Sequence, residues 1–268
     1  MRFFILEDAM ALKENYPSAV PKKLAKILAG IPKAVLAFSG GVDSSYLLYA
    51  AKKCGIDVSA CYVKSQFQPQ FELDDARKLA DELGIQMVEI SLDVLKDTTI
   101  ASNPVDRCYH CKRLIFENII KQFVLDGYNT LMDGSNASDD ATNRPGMRAL
   151  KELVVRSPLR EAGITKEEVR RYSREAALFT WNKDAYACLA TRVPYGETIS
   201  SAVLRKIENA ETMLIQMGFT DLRVRVFGSA AKLQLPAPQI SQAAMQHAEL
   251  VKALSPWFSD VMLDLKPR

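Results

Sequence analysis

Short apolar runs alternate with longer segments of helical period from residue 22 to about residue 159. The first run, residues 33–38, is almost continuously apolar, which is typical of a strand covered on both faces. Further strands are predicted at 58–63, 86–90 and 130–132, with helices between them at 46–54, 71–83 and 111–125. Because strands and helices alternate, the pattern predicts an α/β fold with a parallel sheet and helices on both faces.

A change of pattern divides the chain into two predicted domains. Thr165 and Glu168 form a capping box that opens a helix running to about Leu178. After residue 181 the predicted elements are a helix at 201–217, strands at 222–227 and 232–235, a helix at 240–254 and a strand at 260–265. We therefore predict an α/β domain over residues 1–180 and a second, smaller α+β domain over residues 181–268.

Composition and charge restrict the class of protein. The chain carries 35 basic and 32 acidic side chains in 268 residues, a net charge of +3, so we expect neither a nucleic-acid partner nor binding to an anionic membrane. Apolar residues make up 48% and charged residues 25%, which is ordinary globular usage. No apolar run approaches the ~20 residues that a bilayer crossing needs.

The N-terminus and the cysteine count predict the compartment. Acidic Glu7 and Asp8 follow too soon for a secretory signal peptide. Five cysteines are an odd number in a chain of this size, which argues against a disulfide framework. We expect a cytoplasmic protein with reduced thiols.

The segment Ser39–Ser45, with the sequence SGGVDSS, directly follows the first predicted strand and opens a helix. Its glycines, Gly40 and Gly41, let the backbone turn sharply beside an anion, and amides at the helix start bind phosphate. The serine hydroxyls and the Asp43 carboxylate add donors and an Mg²⁺ ligand; the three serines are Ser39, Ser44 and Ser45. Neither GxxxxGK[ST] nor GxGxxG is present, and the alternative is a generic strand–Gly–Gly–helix turn.

A polar turn follows the strand predicted at 130–132. It contains Asp133, Ser135 and Asn136, with Asp139 and Asp140 shortly after them. An ordinary Asx-rich turn is the alternative interpretation. SGGVDSS resembles the pyrophosphate loop of the ATP-pyrophosphatase superfamily, and the polar turn resembles the segment that lies near the nucleotide and Mg²⁺ there. The resemblance implies ATP and Mg²⁺, with cleavage between the α- and β-phosphates.

Two cysteines, Cys108 and Cys111, form a CxxC motif ahead of the helix predicted at 111–125. Their cationic neighbours, among them Arg107, would lower the thiol pKa at a helix N-terminus. The motif fits zinc, an iron–sulfur cluster or a redox pair, or it packs beside a site without metal. Cys54 and Cys61 lie in apolar context, and we expect them to be inert core residues.

A last cysteine, Cys188, lies in an irregular segment with Arg192 nearby, where a lone cysteine is often structural. Four further segments carry recognisable motifs: RPG (144–146), RSPL (156–159), GITK (163–166) and CLATRVPYG (188–196). Together with SGGVDSS, DGSNASDD and RCYHCK, they resemble the LarE family over nearly the whole chain. LarE proteins are ATP-dependent sulfur transferases of nickel-pincer nucleotide synthesis, so the resemblance implies a Rossmann-like domain of the adenine nucleotide alpha hydrolase type.

The resemblance also implies a substrate and a sulfur source. ATP would adenylylate a carboxylate of a pyridinium mononucleotide, and Cys188, aligned with the sulfur-handling cysteine of the family, would take part in making the thiocarboxylate. Sulfur would come either from Cys188 itself, leaving dehydroalanine, or from a [4Fe–4S] cluster on Cys108, Cys111 and Cys188. We favour the cluster, because three thiolates leave one iron free for a transferable sulfide. A homo-oligomer is also expected.

Arginines on an alternating strand supply the expected phosphate site. Arg223 and Arg225 point to one face of the sheet, where guanidinium groups suit phosphate, or they simply face solvent. Arg192 is included with them as a ligand-contacting residue. Glu211 resembles an acid of the family, with a surface glutamate as the alternative.

Three departures from the family pattern bear on the substrate more than on ATP use. Asn182 and Asp184 replace residues of a WDKP segment, Ala185–Ala187 replaces a stretch with small residues and proline, and Gln234 stands where glutamate is usual. Other adenylylating enzymes of the superfamily, tRNA thiolases and amide-forming synthetases, are the alternatives. A non-enzymatic nucleotide sensor or scaffold is the third.

Overall fold

The computed structural model describes residues 18–139 and 145–268. Asp140, Arg144, Glu7 and Asp8, which entered the sequence analysis, lie outside these ranges. The chain forms two compact units. Unit 1 contains residues up to Val63 together with Glu72–Ile90 and Ile115–Lys183, and unit 2 contains Lys64–Phe71, Ser91–Leu114 and Asp184–Arg268. The predicted division at residue 180/181 lies close to the last crossing between them and stays a prediction.

Unit 1 is built on a four-stranded sheet with the strand order β3–β2–β1–β4. The strands are β1 (Lys33–Ala37), β2 (Asp57–Lys64), β3 (Met87–Ser91) and β4 (Leu131–Met132). β1 pairs in parallel with both β2 and β4, in register Lys33 with Asp57 and Val35 with Leu131. The predicted parallel sheet and all its strands are confirmed.

Helices precede β1, separate the strands and follow β4. They are α1 (Lys22–Ala29), α2 (Val42–Lys53), α3 (Gln70–Leu83), α4 (Thr98–Ala101), α5 (Arg107–Phe123), α6 (Pro145–Glu152), α7 (Pro158–Glu161) and α8 (Lys166–Glu175). Of these, α4 and the start of α5 belong to unit 2. The capping box is present, since Thr165 accepts the amide of Glu168 and the Glu168 side chain accepts the amide of Thr165. α2 is buried along nearly its whole length, and its Tyr46, Leu47 and Leu48 form the centre of the unit 1 core.

Unit 2 contains a three-stranded sheet in the order β5–β6–β7. Helix α9 (Ser201–Gln216) precedes β5 (Arg223–Phe227) and β6 (Ala230–Gln234), which pair antiparallel; β7 (Val261–Leu263) pairs in parallel with β6. The predicted helix at 240–254 is two helices, α10 (Ala237–Met245) and α11 (His247–Leu254), because Gln246 leaves helical geometry at φ −96° and ψ 23°. The other predicted elements of this part of the chain are confirmed.

Two apolar clusters stabilise unit 2. One lies between the small sheet and its helices and includes Phe219, Val224 and Leu254. The other joins Phe67 and Leu189 with residues of α9, and Cys111, Tyr186 and Cys188 pack against it. None of the helices in the described ranges combines the length and the apolar character that a membrane crossing requires.

Candidate functional site

The predicted phosphate loop joins β1 to the start of α2, and its hydroxyl groups are close together. Gly40 has a φ of +71°, and a Cβ there would lie 3.0 Å from the carbonyl oxygen of Glu72, so the turn requires glycine. The Oγ atoms of Ser39 and Ser44 are 3.1 Å apart. The hydroxyl of Ser45 is fully buried and has no hydrogen-bond partner among residues 18–139 and 145–268. A buried polar group without a partner is rare, and this one belongs to the first turn of α2.

The polar turn after β4 approaches this loop directly. A Cβ built on Gly134 would lie 2.8 Å from the amide nitrogen of Ser44, a distance that real Cβ atoms do not reach. The side-chain amide of Asn136 donates to Asp43 at 3.1 Å, and the ammonium of Lys166 pairs with the other oxygen of Asp43. The structure therefore brings the two predicted nucleotide segments together.

The Asp133 carboxylate organises the same turn from inside the protein. It accepts the amide and hydroxyl of Ser135 and the hydroxyl of Ser157, the last at 2.6 Å. The guanidinium of Arg160 donates to the carbonyl oxygens of Asn136 and Asp139. The segments RSPL and GITK carried only family resemblance in the sequence, and they supply Ser157 to the polar turn and Lys166 to the phosphate loop. Local patterns could not predict these contacts.

Another cation lies beneath the phosphate loop. Lys183 forms ion pairs with Glu72 and Asp75, at 3.3 and 2.7 Å, and donates to the carbonyl oxygen of Gly40 at 3.4 Å. Since α3 carries both carboxylates, Lys183 ties the helix to the glycine turn.

The loop of unit 1 fits a triphosphate and its metal. The orphaned hydroxyl of Ser45 and the glycine at position 134, where a side chain would fill the cradle, are the observations that support this fit. Carboxylates are the ligands that Mg²⁺ prefers, and Asp43 and Asp133 would hold it, supplying charge neutralisation to the phosphates.

The CxxC cysteines lie in unit 2 at the start of α5. Cys108 and Cys111 belong to its first turn, so the helix begins at Arg107 and the prediction that the motif precedes the helix is wrong. Cys188 lies just before a 3₁₀ turn, Leu189–Arg192. All five cysteines are free, and Cys54 and Cys61 are buried as predicted.

Desolvation by burial determines the direction in which the pKa values of Cys111 and Cys188 shift, and the cationic neighbours oppose that shift only in part. Desolvation raises the pKa of Cys111 to about 12, with smaller contributions from Cys188 and Cys108. Desolvation likewise raises the pKa of Cys188, which Arg107 and Arg192 lower only in part. The predicted lowering of the thiol pKa is therefore wrong for Cys111, because a thiol held away from water resists ionisation.

Two buried arginines hold the backbone around Cys188. Arg107, 1% exposed, donates to the side chain of Asn103, to the carbonyl oxygen of Ala190 at 3.2 Å and weakly to the sulfur of Cys108. Arg192, equally buried, donates through Nη1 to the carbonyl oxygens of Ala187 and Cys188 at 2.6 and 3.2 Å. Arg192 therefore holds the backbone on both sides of the Ala187–Cys188 bond, and its predicted contact with a ligand stays a prediction.

The acid that pairs with Arg192 is Glu211 on α9. Glu211 is buried, which excludes the surface alternative, and it accepts Nε and Nη2 of Arg192 as well as the amide of Val224 and the hydroxyl of Tyr186. Sequence reasoning gave Glu211 no partner, since the two residues are 19 positions apart in different elements.

The predicted phosphate-binding arginines occupy different environments. Arg223 is buried and donates to the carbonyl oxygens of Leu222 and Ala185, each at 2.6 Å; burial, followed by Arg192, lowers its pKa to about 10. Arg225 is exposed and donates to Gln234 and to the carbonyl oxygen of Thr191. Gln234 therefore orients Arg225.

A cavity of about 420 Å³ lies in unit 2. Eleven residues line it, and none belongs to the predicted site: Lys64, Ser65, Gln66, Gln68, Ser91, Leu92, Asp93, Ser201, Leu204, Arg205 and Glu208. Within the described ranges, no group of three or more His, Cys, Asp or Glu residues has metal-binding geometry.

A family model matches part of this chain, and several relatives match most of it. The family described as "Queuosine biosynthesis protein QueC" matches residues 33–138, a range that includes the phosphate loop and the polar turn. The chain is 34% identical over 249 residues to an uncharacterized protein of Synechocystis sp., covering 91% of this chain and 93% of the relative.

Two further relatives carry named activities. The pyridinium-3,5-bisthiocarboxylic acid mononucleotide synthase of Lactiplantibacillus plantarum is 33% identical over 245 residues, which is 90% of this chain and 89% of the synthase. The tRNA-specific 2-thiouridylase MnmA of Thermotoga petrophila is 25% identical over 198 residues, which is 56% of this chain and 54% of that enzyme.

Proposed function

Since this chain belongs to the LarE family, that of the pyridinium-3,5-bisthiocarboxylic acid mononucleotide synthase, we propose that it is the ATP-dependent sulfur transferase that converts a carboxylate of a pyridinium mononucleotide into a thiocarboxylate. The product would serve the nickel-pincer nucleotide cofactor. The observation that carries the proposal is 33% identity to the synthase over 90% of this chain.

The activation half of the reaction is assigned to unit 1. A carboxylate oxygen of the substrate attacks the α-phosphorus of ATP, the bond to the bridging oxygen of the β-phosphate breaks, and pyrophosphate leaves. The amides at the start of α2 and the hydroxyls of Ser39, Ser44 and Ser45 would bind the departing diphosphate, because preorganised donors stabilise developing charge. Lys166 and Asn136 would hold the Asp43 carboxylate in place beside the phosphates.

The sulfur half is assigned to unit 2. A sulfur nucleophile attacks the acyl carbon of the adenylate, the acyl–oxygen bond breaks, and AMP leaves with that oxygen. We favour a [4Fe–4S] cluster held by Cys108, Cys111 and Cys188, since their donor set is three thiols of one compact unit. Such a cluster supplies an iron coordination site for an extra sulfide. The alternative is that Cys188 donates its own sulfur and becomes dehydroalanine.

Unit 2 would also bind the phosphate of the mononucleotide. Arg225 is exposed on β5 and is oriented by Gln234, which makes it the accessible guanidinium of the predicted pair. Arg223 on the same face donates to backbone carbonyl oxygens, so a phosphate reaching it would compete with Ala185. Bidentate guanidinium groups suit such an anion.

The test separates activation from sulfur transfer. Anaerobically purified protein, ATP, Mg²⁺ and the pyridinium dicarboxylate mononucleotide should release AMP and pyrophosphate and form the thiocarboxylate, detected by mass spectrometry. Cys188→Ala should abolish the thiocarboxylate while ATP still binds, and Cys54→Ala, a buried cysteine of unit 1, is the matched control. A thiocarboxylate formed by Cys188→Ala, or no AMP from the wild type, would overturn the proposal.

The sulfur source has its own readout. Anaerobic protein with a cluster should contain iron and absorb broadly near ~400 nm. Iron-free protein in which the mass at Cys188 falls by about 34 Da during turnover would identify the cysteine itself as the donor.

A tRNA thiolase is the second candidate, supported by the MnmA similarity over 56% of this chain. AMP release that depends on tRNA and not on the mononucleotide would favour it. We also infer that the protein is cytoplasmic and that it forms a homo-oligomer. Light scattering coupled to size-exclusion chromatography measures the molar mass and therefore the oligomeric state.

A further inference from the structure

The ring of Tyr186 contacts two guanidinium groups of unit 2. The centroid of the ring is 4.5 Å from the guanidinium carbon of Arg192 and 4.9 Å from that of Arg223. Phe71 contacts the same ring edge-on, with centroids 5.0 Å apart. Cations over an aromatic face are attracted by its quadrupole, and the attraction grows where water is excluded. Tyr186 therefore keeps two like charges in one compact arrangement.

The hydroxyl of Tyr186 extends the same arrangement. It donates to Glu211, and the carboxylate of Glu211 binds Arg192 at the same time. Burial, together with the charge of Glu211, raises the pKa of Tyr186, so the hydroxyl remains a donor at neutral pH. The side chain is thus fixed at the ring and at its polar end.

Both arginines that contact the ring also bind the backbone next to Cys188. Arg223 donates to the carbonyl oxygen of Ala185, one residue before Tyr186, at 2.6 Å. Arg192 donates to the carbonyl oxygens of Ala187 and Cys188. The ring and the carbonyl groups on either side of it are therefore held by the same two cations.

We propose that Tyr186 is a positioning residue for Cys188: through the contacts of its ring with Arg192 and Arg223 it fixes the backbone that directs the sulfur of Cys188. Without the ring, two buried cations would repel each other and draw water between them, and the carbonyl contacts at 185–188 would loosen. The effect of the Tyr186 ring on sulfur transfer rests on the proposed function, whereas its effect on the reactivity of the Cys188 thiol does not.

Two variants separate the ring from its hydroxyl. Tyr186→Phe keeps the stack and loses the hydrogen bond to Glu211, and Tyr186→Leu loses both. The matched control is Phe227→Leu, an aromatic side chain of unit 2 that is 61% exposed and outside the site. The readouts are the rate of carbamidomethylation of Cys188 at one fixed pH, followed by peptide mass mapping of iron-free protein, and kcat and KM for ATP.

Tyr186→Leu should raise the carbamidomethylation rate of Cys188 about tenfold, because loss of the ring loosens the backbone around the sulfur, and Tyr186→Phe about twofold, because it keeps the ring. Cys54 should keep its wild-type rate in every variant. For sulfur transfer, Tyr186→Leu should lower kcat about tenfold with KM for ATP within about twofold, since ATP is bound by unit 1.

Wild-type labelling rates at Cys188 in both variants would overturn the positioning role. If Tyr186→Leu does not fold, Tyr186→Met, which also removes the ring, replaces it, and a wild-type labelling rate at Cys188 in that variant would overturn the positioning role. A wild-type enzyme that forms no AMP would refute the proposed function and leave the labelling result standing, so the two failures are distinguishable.

Discussion

The carboxylate of Glu211 accepts both Nε and Nη2 of Arg192, at 2.9 and 3.0 Å, with neither side chain reaching solvent. A buried pair of this geometry stabilises only while both partners are present, because removal of one leaves an uncompensated charge in a poorly solvated place. Since Arg192 holds the carbonyl oxygens of Ala187 and Cys188, the pair connects α9 to the cysteine segment.

Glu211→Gln should lower the free energy of unfolding by about 3 kcal/mol, because the substitution leaves Arg192 buried and unpaired. Urea denaturation measures the change. The matched control, Glu249→Gln on the exposed side of α11, should stay within about 0.5 kcal/mol of the wild type. Equal stability of the two variants would show that the pair carries no net energy.

Gly134→Ala should weaken ATP binding at least about tenfold, which corresponds to about 1.4 kcal/mol. The added methyl would meet the amide nitrogen of Ser44 at 2.8 Å, so the turn must retreat from the phosphate loop. Calorimetric titration with a non-hydrolysable ATP analogue measures the affinity. Gly30→Ala is the control, since its Cβ would meet only the carbonyl oxygen of Ile27, at 3.5 Å.

Lys166→Met should raise KM for ATP about tenfold, because the Asp43 carboxylate, assigned to Mg²⁺, loses the ammonium group that fixes one of its oxygens. The double variant Lys166→Met/Asp43→Asn should raise KM further, because the Mg²⁺ ligand itself is then lost, and Lys151→Met, an exposed lysine of α6, should leave KM unchanged. Pyrophosphate release measures all four proteins. An unchanged KM in Lys166→Met would place Asp43 away from the nucleotide.

Stability should fall in alkali, partly through Cys61. Burial raises the pKa of Cys61 from 9.0 to about 12, so the folded state retains a proton that the unfolded chain gives up. The contribution is therefore complete below pH 9 and is lost as the pH rises from 9 towards 12, by up to about 1.4 kcal/mol per pH unit. Urea denaturation at several pH values should give a shallower alkaline slope for Cys61→Ala, with parallel curves below pH 8.

Local sequence patterns predicted most helices and strands, but they could not predict contacts between residues that are far apart in the sequence. The strands at Lys33–Ala37 and Arg223–Phe227 were predictable because burial imposes a continuous or an alternating apolar pattern on a strand. Arg107 carries no such signal, so the first turn of α5 was missed. The break at Gln246 has neither proline nor glycine to announce it.

Parts of the candidate site could be predicted for the same reason. SGGVDSS is one contiguous string whose chemistry is local, and its position after β1 follows from the pattern. Lys166 reaches Asp43 across 123 positions, and Glu211 reaches Arg192 across 19. Pairings of this kind depend on the finished tertiary structure, and no periodicity in a single sequence encodes them.

Unit 2 is assembled from three separate stretches of chain, and the last of them begins at Asp184. A ribosome delivers the chain from its N-terminus at roughly 5–20 residues per second, so Cys108 and Cys111 emerge on the order of 4–15 seconds before Cys188. During translation these two thiols lack the segment that accompanies them in the native protein. A chain truncated before Asp184 would therefore contain the glycine turn, Cys108 and Cys111 but not Cys188.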